Sequence, residues 1–185
     1  TGKPVLVYYD GEHETLRVAY CTVDSNCNLA SNWAICETGV SGGTYVQAKI
    51  DTNNYLHIMY RDSDGQLCYI KSTNSPDGGA YTFGKSMVIE PSGTYGPLSL
   101  MKDGTNYVPC VAFLNSEGTA NGVKYSLLRN VDTGAAEPEK LWDTMVVPAV
   151  VSGGENHYIT GGELVYVEGK SGSWNVIQEK DTVNE

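Results

Sequence analysis

Val7–Tyr8–Tyr9–Asp10 decides the fold of this chain, because the same pattern keeps returning. It reappears as Met59–Tyr60–Arg61–Asp62, as Ala112–Phe113–Leu114–Asn115, and more faintly as Val165–Tyr166–Val167–Glu168. The aromatic members Tyr8, Tyr60, Phe113 and Tyr166 stand 52, 53 and 53 residues apart, and Asp10, Asp62, Asn115 and Glu168 keep the same spacing. A fixed period near this length marks a chain assembled from repeated supersecondary units.

Working outward, the second repeat is the clearest. Residues 45–50 alternate, an Asp51–Thr52–Asn53–Asn54 turn follows, and residues 56–60 form the next run. The Asp62–Ser63–Asp64–Gly65 turn leads into 66–71, and a longer polar loop precedes 86–90. Short Val/Ile/Tyr runs separated by Asn/Asp/Gly turns predict four strands in an antiparallel meander. The third repeat copies the order at 98–101, 108–113, 123–127 and 144–147, with Pro109 predicting an edge or bulged position. The first repeat begins at its second strand, and the last, with runs at 157–160, 164–167 and 174–178, stops before its fourth. Four strands per repeat predict an all-β fold, a whole or partial β-propeller of four-stranded antiparallel blades with a period of about 52 residues. The blades divide as 1–43, 44–95, 96–155 and 156–185. A β-sandwich is the competing reading. Tyr8, Tyr60, Phe113 and Tyr166 are expected at equivalent places, each on its repeat's second strand and packed between blades.

Composition narrows the function. With 22 acidic and 12 basic residues the formal net charge is −10, which repels phosphate backbones and anionic lipid, so no nucleic-acid partner is expected. Apolar runs are short, so no membrane insertion is expected. The opening Thr1–Gly2–Lys3–Pro4 has no charged-then-apolar leader, as in a mature protein or an excised domain.

The segment 4–10, then Leu16–Arg17–Val18–Ala19–Tyr20–Cys21 and Cys27, resembles a family of secreted bacterial β-propeller repeats. Ser41–Gly42–Gly43–Thr44–Tyr45 is similar to that family's link between blades. The likeness covers the first repeat and most of the second, thins in the third, and is a trace in the fourth. It implies a sialidase-like or lectin-like shape and a secreted or cell-surface location, with little chemistry. It also implies a Cys21–Cys27 disulfide, which would close a small loop; two free thiols are the alternative. Cys36, Cys68 and Cys110 fall among apolar neighbours as small buried hydrophobes. No Cys or His spacing suits a structural zinc, so neither metal nor cofactor is expected.

Candidate site residues follow from the repeated acidic position. An Asp or Asn at a strand end caps the turn's own backbone, which suits Asp10, Asp62, Asn115 and Glu168 alike. The functional alternative is a rim that binds sugars or a cation, with Tyr9, Asp10, Arg61, Asp62, Asn115 and Glu168 as ligand-binding residues. The histidines His13, His57 and His157 lie far apart, and His57, on a strand, reads as a satisfied structural group. No catalytic residue is expected. Arg17, Arg61 and Arg129 occupy non-equivalent places, against a sialidase's arginine cluster. The expectation is therefore a non-catalytic extracellular or cell-surface binding module for a glycan or protein. The alternatives are a sialidase-like glycoside hydrolase and a scaffold that self-associates or joins the rest of a longer chain.

Overall fold

The computed structural model describes residues 2–75, 79–93, 96–103, 106–115, 122–128, 142–146, 165–167 and 175–177, with side chains described as far as residue 113 apart from 103 and 106. Strands β1 (Val5–Asp10), β2 (Thr15–Cys21) and β3 (Trp33–Ser41) form one antiparallel sheet. Strands β4 (Thr44–Ile50), β5 (Leu56–Arg61), β6 (Leu67–Lys71) and β7 (Met87–Glu90) form the second. The third holds β8 (Leu98–Asp103), β9 (Asn106–Asn115), β10 (Gly122–Leu128) and β11 (Trp142–Val146), and β12 (Val165–Val167) pairs with β13 (Asn175–Ile177). Every pairing is antiparallel between chain neighbours, as the alternating runs and short turns require. The protein is all-β, and among the described residues the sheets do not close into a ring. The expected strand at 157–160 lies outside the described residues.

The two inner strands of the second sheet, β5 and β6, are buried on both faces. Leu56, Ile58 and Tyr60 of β5, with Cys68 and Ile70 of β6, pack against Leu16 and Val18 of the first sheet. The alternate residues Met59, Leu67, Tyr69, Met87 and Ile89 pack against Leu98, Val111 and Phe113 of the third. Successive side chains of a strand point to opposite faces, so Leu56–His57–Ile58–Met59–Tyr60 is buried throughout. Each large apolar side chain buried this way contributes about 1.5–3 kcal/mol.

The repeated aromatic falls on a corresponding strand in each sheet. Tyr8 pairs with Arg17, Tyr60 with Cys68 and Phe113 with Lys124, each on the strand that leads into the sheet's next hairpin. Tyr60 and Phe113 are 1% and 2% exposed and lie between sheets, whereas Tyr8 is half-buried. Tyr166 lies on β12, opposite Val176.

Pro109 occupies a local edge, as its missing N–H leads one to expect. It lies on β9, an interior strand, opposite Leu100 of β8. The β9–β10 ladder runs from Asn115↔Gly122 to Cys110↔Leu127 and ends one residue before the proline. The missing N–H is tolerated because pairing on that side has already stopped.

Candidate functional site

Two hairpin turns and one interstrand link meet at one end of the first two sheets. At the β1–β2 turn, Asp10 Oδ1 accepts hydrogen bonds from the backbone N–H groups of Glu12 (3.0 Å) and His13 (3.2 Å). Its Oδ2 faces the His13 ring at 3.0 Å and the Arg17 guanidinium at 2.6 Å, and Arg17 also reaches Glu37 at 3.0 Å. Burial opposes the Asp10 charge, but the two backbone donors, the His13 ring and Arg17 together hold its carboxyl below the usual carboxylate range. At the β5–β6 turn, Asp62 Oδ1 accepts from Gln66 N–H at 2.8 Å, and Oδ2 accepts the Cys68 thiol at 3.4 Å. Burial, then the Asp62 charge, pushes that thiol's pKa up. Arg61 donates from Nε to the Gly65 carbonyl at 2.9 Å.

The link between the sheets ties these turns together. Gly42 donates to the Glu14 carbonyl at 2.9 Å and Gly43 to the Arg61 carbonyl at 3.0 Å. Gly42 has φ +82°, and a Cβ there would stand 2.5 Å from the Ser63 nitrogen. Only glycine tolerates both that backbone conformation and that approach.

The structure thus gives the sequence-derived residues definite settings. Asp10 and Asp62 cap their own turns, Arg61 clasps Gly65, and Tyr9, next to last on β1, is 38% exposed. The Gly42–Gly43 link brings the turns of Asp10 and Asp62 to the same end. Asn115 is the last residue of β9, opposite Gly122, and Glu168 lies outside the described residues. Cys21 and Cys27 form a disulfide with Cα atoms 5.8 Å apart, while Cys36, Cys68 and Cys110 are not disulfide-bonded.

A second constellation was only half visible in sequence. His57 Nε2 lies 3.2 Å from Asp51 Oδ2, and its Nδ1 lies 2.6 Å from the Tyr69 hydroxyl. His57 and Tyr69 are fully buried and Asp51 is 6% exposed. Asp51 Oδ1 accepts from Asn53 and Tyr55 N–H at 2.8 and 2.9 Å. A neutral imidazole satisfies both contacts: Nε2–H donates to the carboxylate, and Nδ1 accepts the Tyr69 O–H. Burial lowers the His57 pKa to about 4; Asp51 opposes that shift and the Lys71 charge adds to it. Burial, reinforced by the Asp51 charge, raises the Tyr69 pKa. With both rings sealed from water, the chain Tyr69–His57–Asp51 fixes the β4–β5 turn beneath the third sheet, whose Tyr107 donates to Thr52 Oγ1 at 2.8 Å. The available signal was an Asp opening a turn, with a His six residues on, facing an adjacent strand's Tyr.

Among the described residues, no cluster of three or more His, Cys, Asp or Glu side chains is placed to hold a metal ion. Nor is any helix long and apolar enough to cross a membrane. The chain matches no family model, no curated protein and no solved structure.

Proposed function

We propose that this chain is a β-propeller module that acts outside the cytoplasm by binding a protein partner, in the first instance another sheet of the same repeat, and not by catalysis. One observation carries the reading. Ile58 and Val111 are the equivalents of Leu6 by register, and both are fully buried between sheets. Leu6 itself is 55% exposed, and Ile35, joined to it across Ala19, is 60% exposed. The first sheet therefore presents to solvent the face by which the second and third sheets each pack on their predecessor. Contiguous exposed apolar area of this kind marks an interaction surface. The Cys21–Cys27 disulfide supports an oxidising compartment.

The test is sedimentation velocity on the protein over a concentration series, with Leu6→Glu and Ile35→Glu variants. Both positions are exposed, so the variants should keep their unfolding midpoints. We expect concentration-dependent association that strengthens with salt, because a charge of −10 on each copy is then screened. Both variants should abolish it. A monomer at all concentrations, alongside glycan-array binding or turnover of fluorogenic glycosides, would overturn the reading in favour of a lectin or a glycosidase.

A further inference from the structure

The same dipeptide stands in two hairpin turns in opposite chemical states. Asp10–Gly11 opens the β1–β2 turn and Asp64–Gly65 lies within the β5–β6 turn. Both oxygens of Asp10 are engaged, by the Glu12 and His13 N–H groups, the His13 ring and the Arg17 guanidinium, and its side chain is 15% exposed. Asp64 is exposed, and its carboxylate makes no hydrogen bond or ion pair among the described residues. The amide that follows it, Gly65 N–H, donates to the Asp62 carbonyl at 3.2 Å, the longest bond of that turn. Asp62 N–H reaches Gln66 at 3.0 Å, and Gln66 N–H reaches Asp62 Oδ1 at 2.8 Å. Gly65 has no β-carbon to shield its nitrogen from the neighbouring carboxyl.

We propose that Asp64–Gly65 is a site of spontaneous backbone modification, passing through a cyclic imide to isoaspartate, and thereby a substrate for a carboxyl methyltransferase that acts on isoaspartate. In the first step the Gly65 nitrogen bonds to Asp64 Cγ. The amide proton and the carboxyl hydroxyl leave as water, and a five-membered imide closes. Water then adds at the Asp64 backbone carbonyl and breaks its bond to the Gly65 nitrogen. An α-carboxylate is released, the main chain now runs through Cβ and Cγ, and the protein regains its original mass. The methyltransferase's sulfonium donor passes a methyl group to that α-carboxylate and departs as a thioether. The added main-chain methylene falls in a turn pinned by Gln66 N–H on Asp62 and by Arg61 on the Gly65 carbonyl. Ser63 of that turn packs against Gly42, so the change acts on the joint between the first two sheets.

The test holds the whole protein for weeks in warm, mildly acidic buffer, with and without concentrated guanidinium chloride, and then digests it with trypsin. Asp64–Gly65 falls in peptide 62–71, and Asp10–Gly11 in the peptide that ends at Arg17. From the folded protein, peptide 62–71 should give a second chromatographic peak of unchanged mass that accepts labelled methyl groups from an isoaspartate methyltransferase. Its conversion should exceed that of the Arg17 peptide by at least about tenfold, because Asp10 must first break its turn bonds and ion pair. In guanidinium, where those contacts are gone, the two should convert at similar rates. Asp64→Glu, whose imide would need a six-membered ring and closes slowly, should remove the signal. The proposal is overturned if peptide 62–71 converts in guanidinium but not in the folded protein. Equal conversion of both peptides in the folded protein, or a signal that survives Asp64→Glu, would overturn it as well.

Discussion

Acid should weaken this protein through one buried ring. His57 is fully buried, donates to Asp51 and accepts from Tyr69, an arrangement that only the neutral imidazole satisfies. The unfolded chain protonates its histidine near pH 6.5, and the native state only at about 4. The unfolded state therefore holds more protons in that window, so stability falls as the pH falls from about 6.5 towards 4. At about 1.4 kcal/mol per pKa unit, the loss between neutral pH and pH 4 is about 3 kcal/mol. The assay is urea unfolding followed by tryptophan fluorescence at pH 7, 6, 5 and 4.5. The midpoint should fall by roughly 1–2 M urea over the full range, given an m-value typical of a domain this size. His57→Gln should be less stable at pH 7 yet lack this histidine-dependent slope. Carboxylates contribute equally to both proteins, so the difference between the two curves isolates His57. Parallel curves for wild type and His57→Gln would refute the reasoning.

Three further outcomes are expected. Gly42→Ala should cost about 1–3 kcal/mol by forcing an alanine to positive φ against the Ser63 backbone, measured as a drop in thermal midpoint. Thiol titration of the denatured, unreduced protein should find three free thiols, and reducing Cys21–Cys27 should cost about 2 kcal/mol for so short a loop. Asp62→Ala should cost about 1–3 kcal/mol by leaving the Gln66 N–H without its carboxylate acceptor, while Asp62→Asn, which keeps an acceptor oxygen, should recover most of that in the same urea assay.

Much of the fold was legible because the repeat carries its signals in fixed order. Asp10 and Asp62 could be read as turn caps, since a short carboxylate at a strand end reaches the next N–H groups by local geometry alone. The Cys21–Cys27 bridge came from the resemblance, not from spacing. Pro109 could be read as an edge position because it has no N–H to give, but which neighbouring ladder stops short of it is not carried by a single strand's sequence. The Asp51–His57–Tyr69 chain needed cross-strand register: His57 pairs with Lys71 and Met59 with Tyr69, so Tyr69 reaches His57 on the diagonal. The exposure of Leu6 and Ile35 was equally hidden, because their residue types match those of their buried equivalents.

The link after β3 also bears on how such a chain can lengthen by duplication. A Cβ on Gly43 would stand 3.0 Å from Leu16, and one on Gly93 would stand 2.9 Å from Leu67. Leu16 and Leu67 hold the same place in successive repeats, and both glycines precede a Thr–Tyr pair in sequence. Each copied unit therefore carries its own hinge residue and the leucine it closes on, so a new unit can be joined without redesigning the joint. The opposite end obeys a looser rule: 22–32, 72–86 and 129–141 separate the last two strands of successive repeats and differ in length. Growth and variation are thereby assigned to opposite ends of the same sheet: the joint repeats its Gly–Thr–Tyr sequence, and the other end changes its loop.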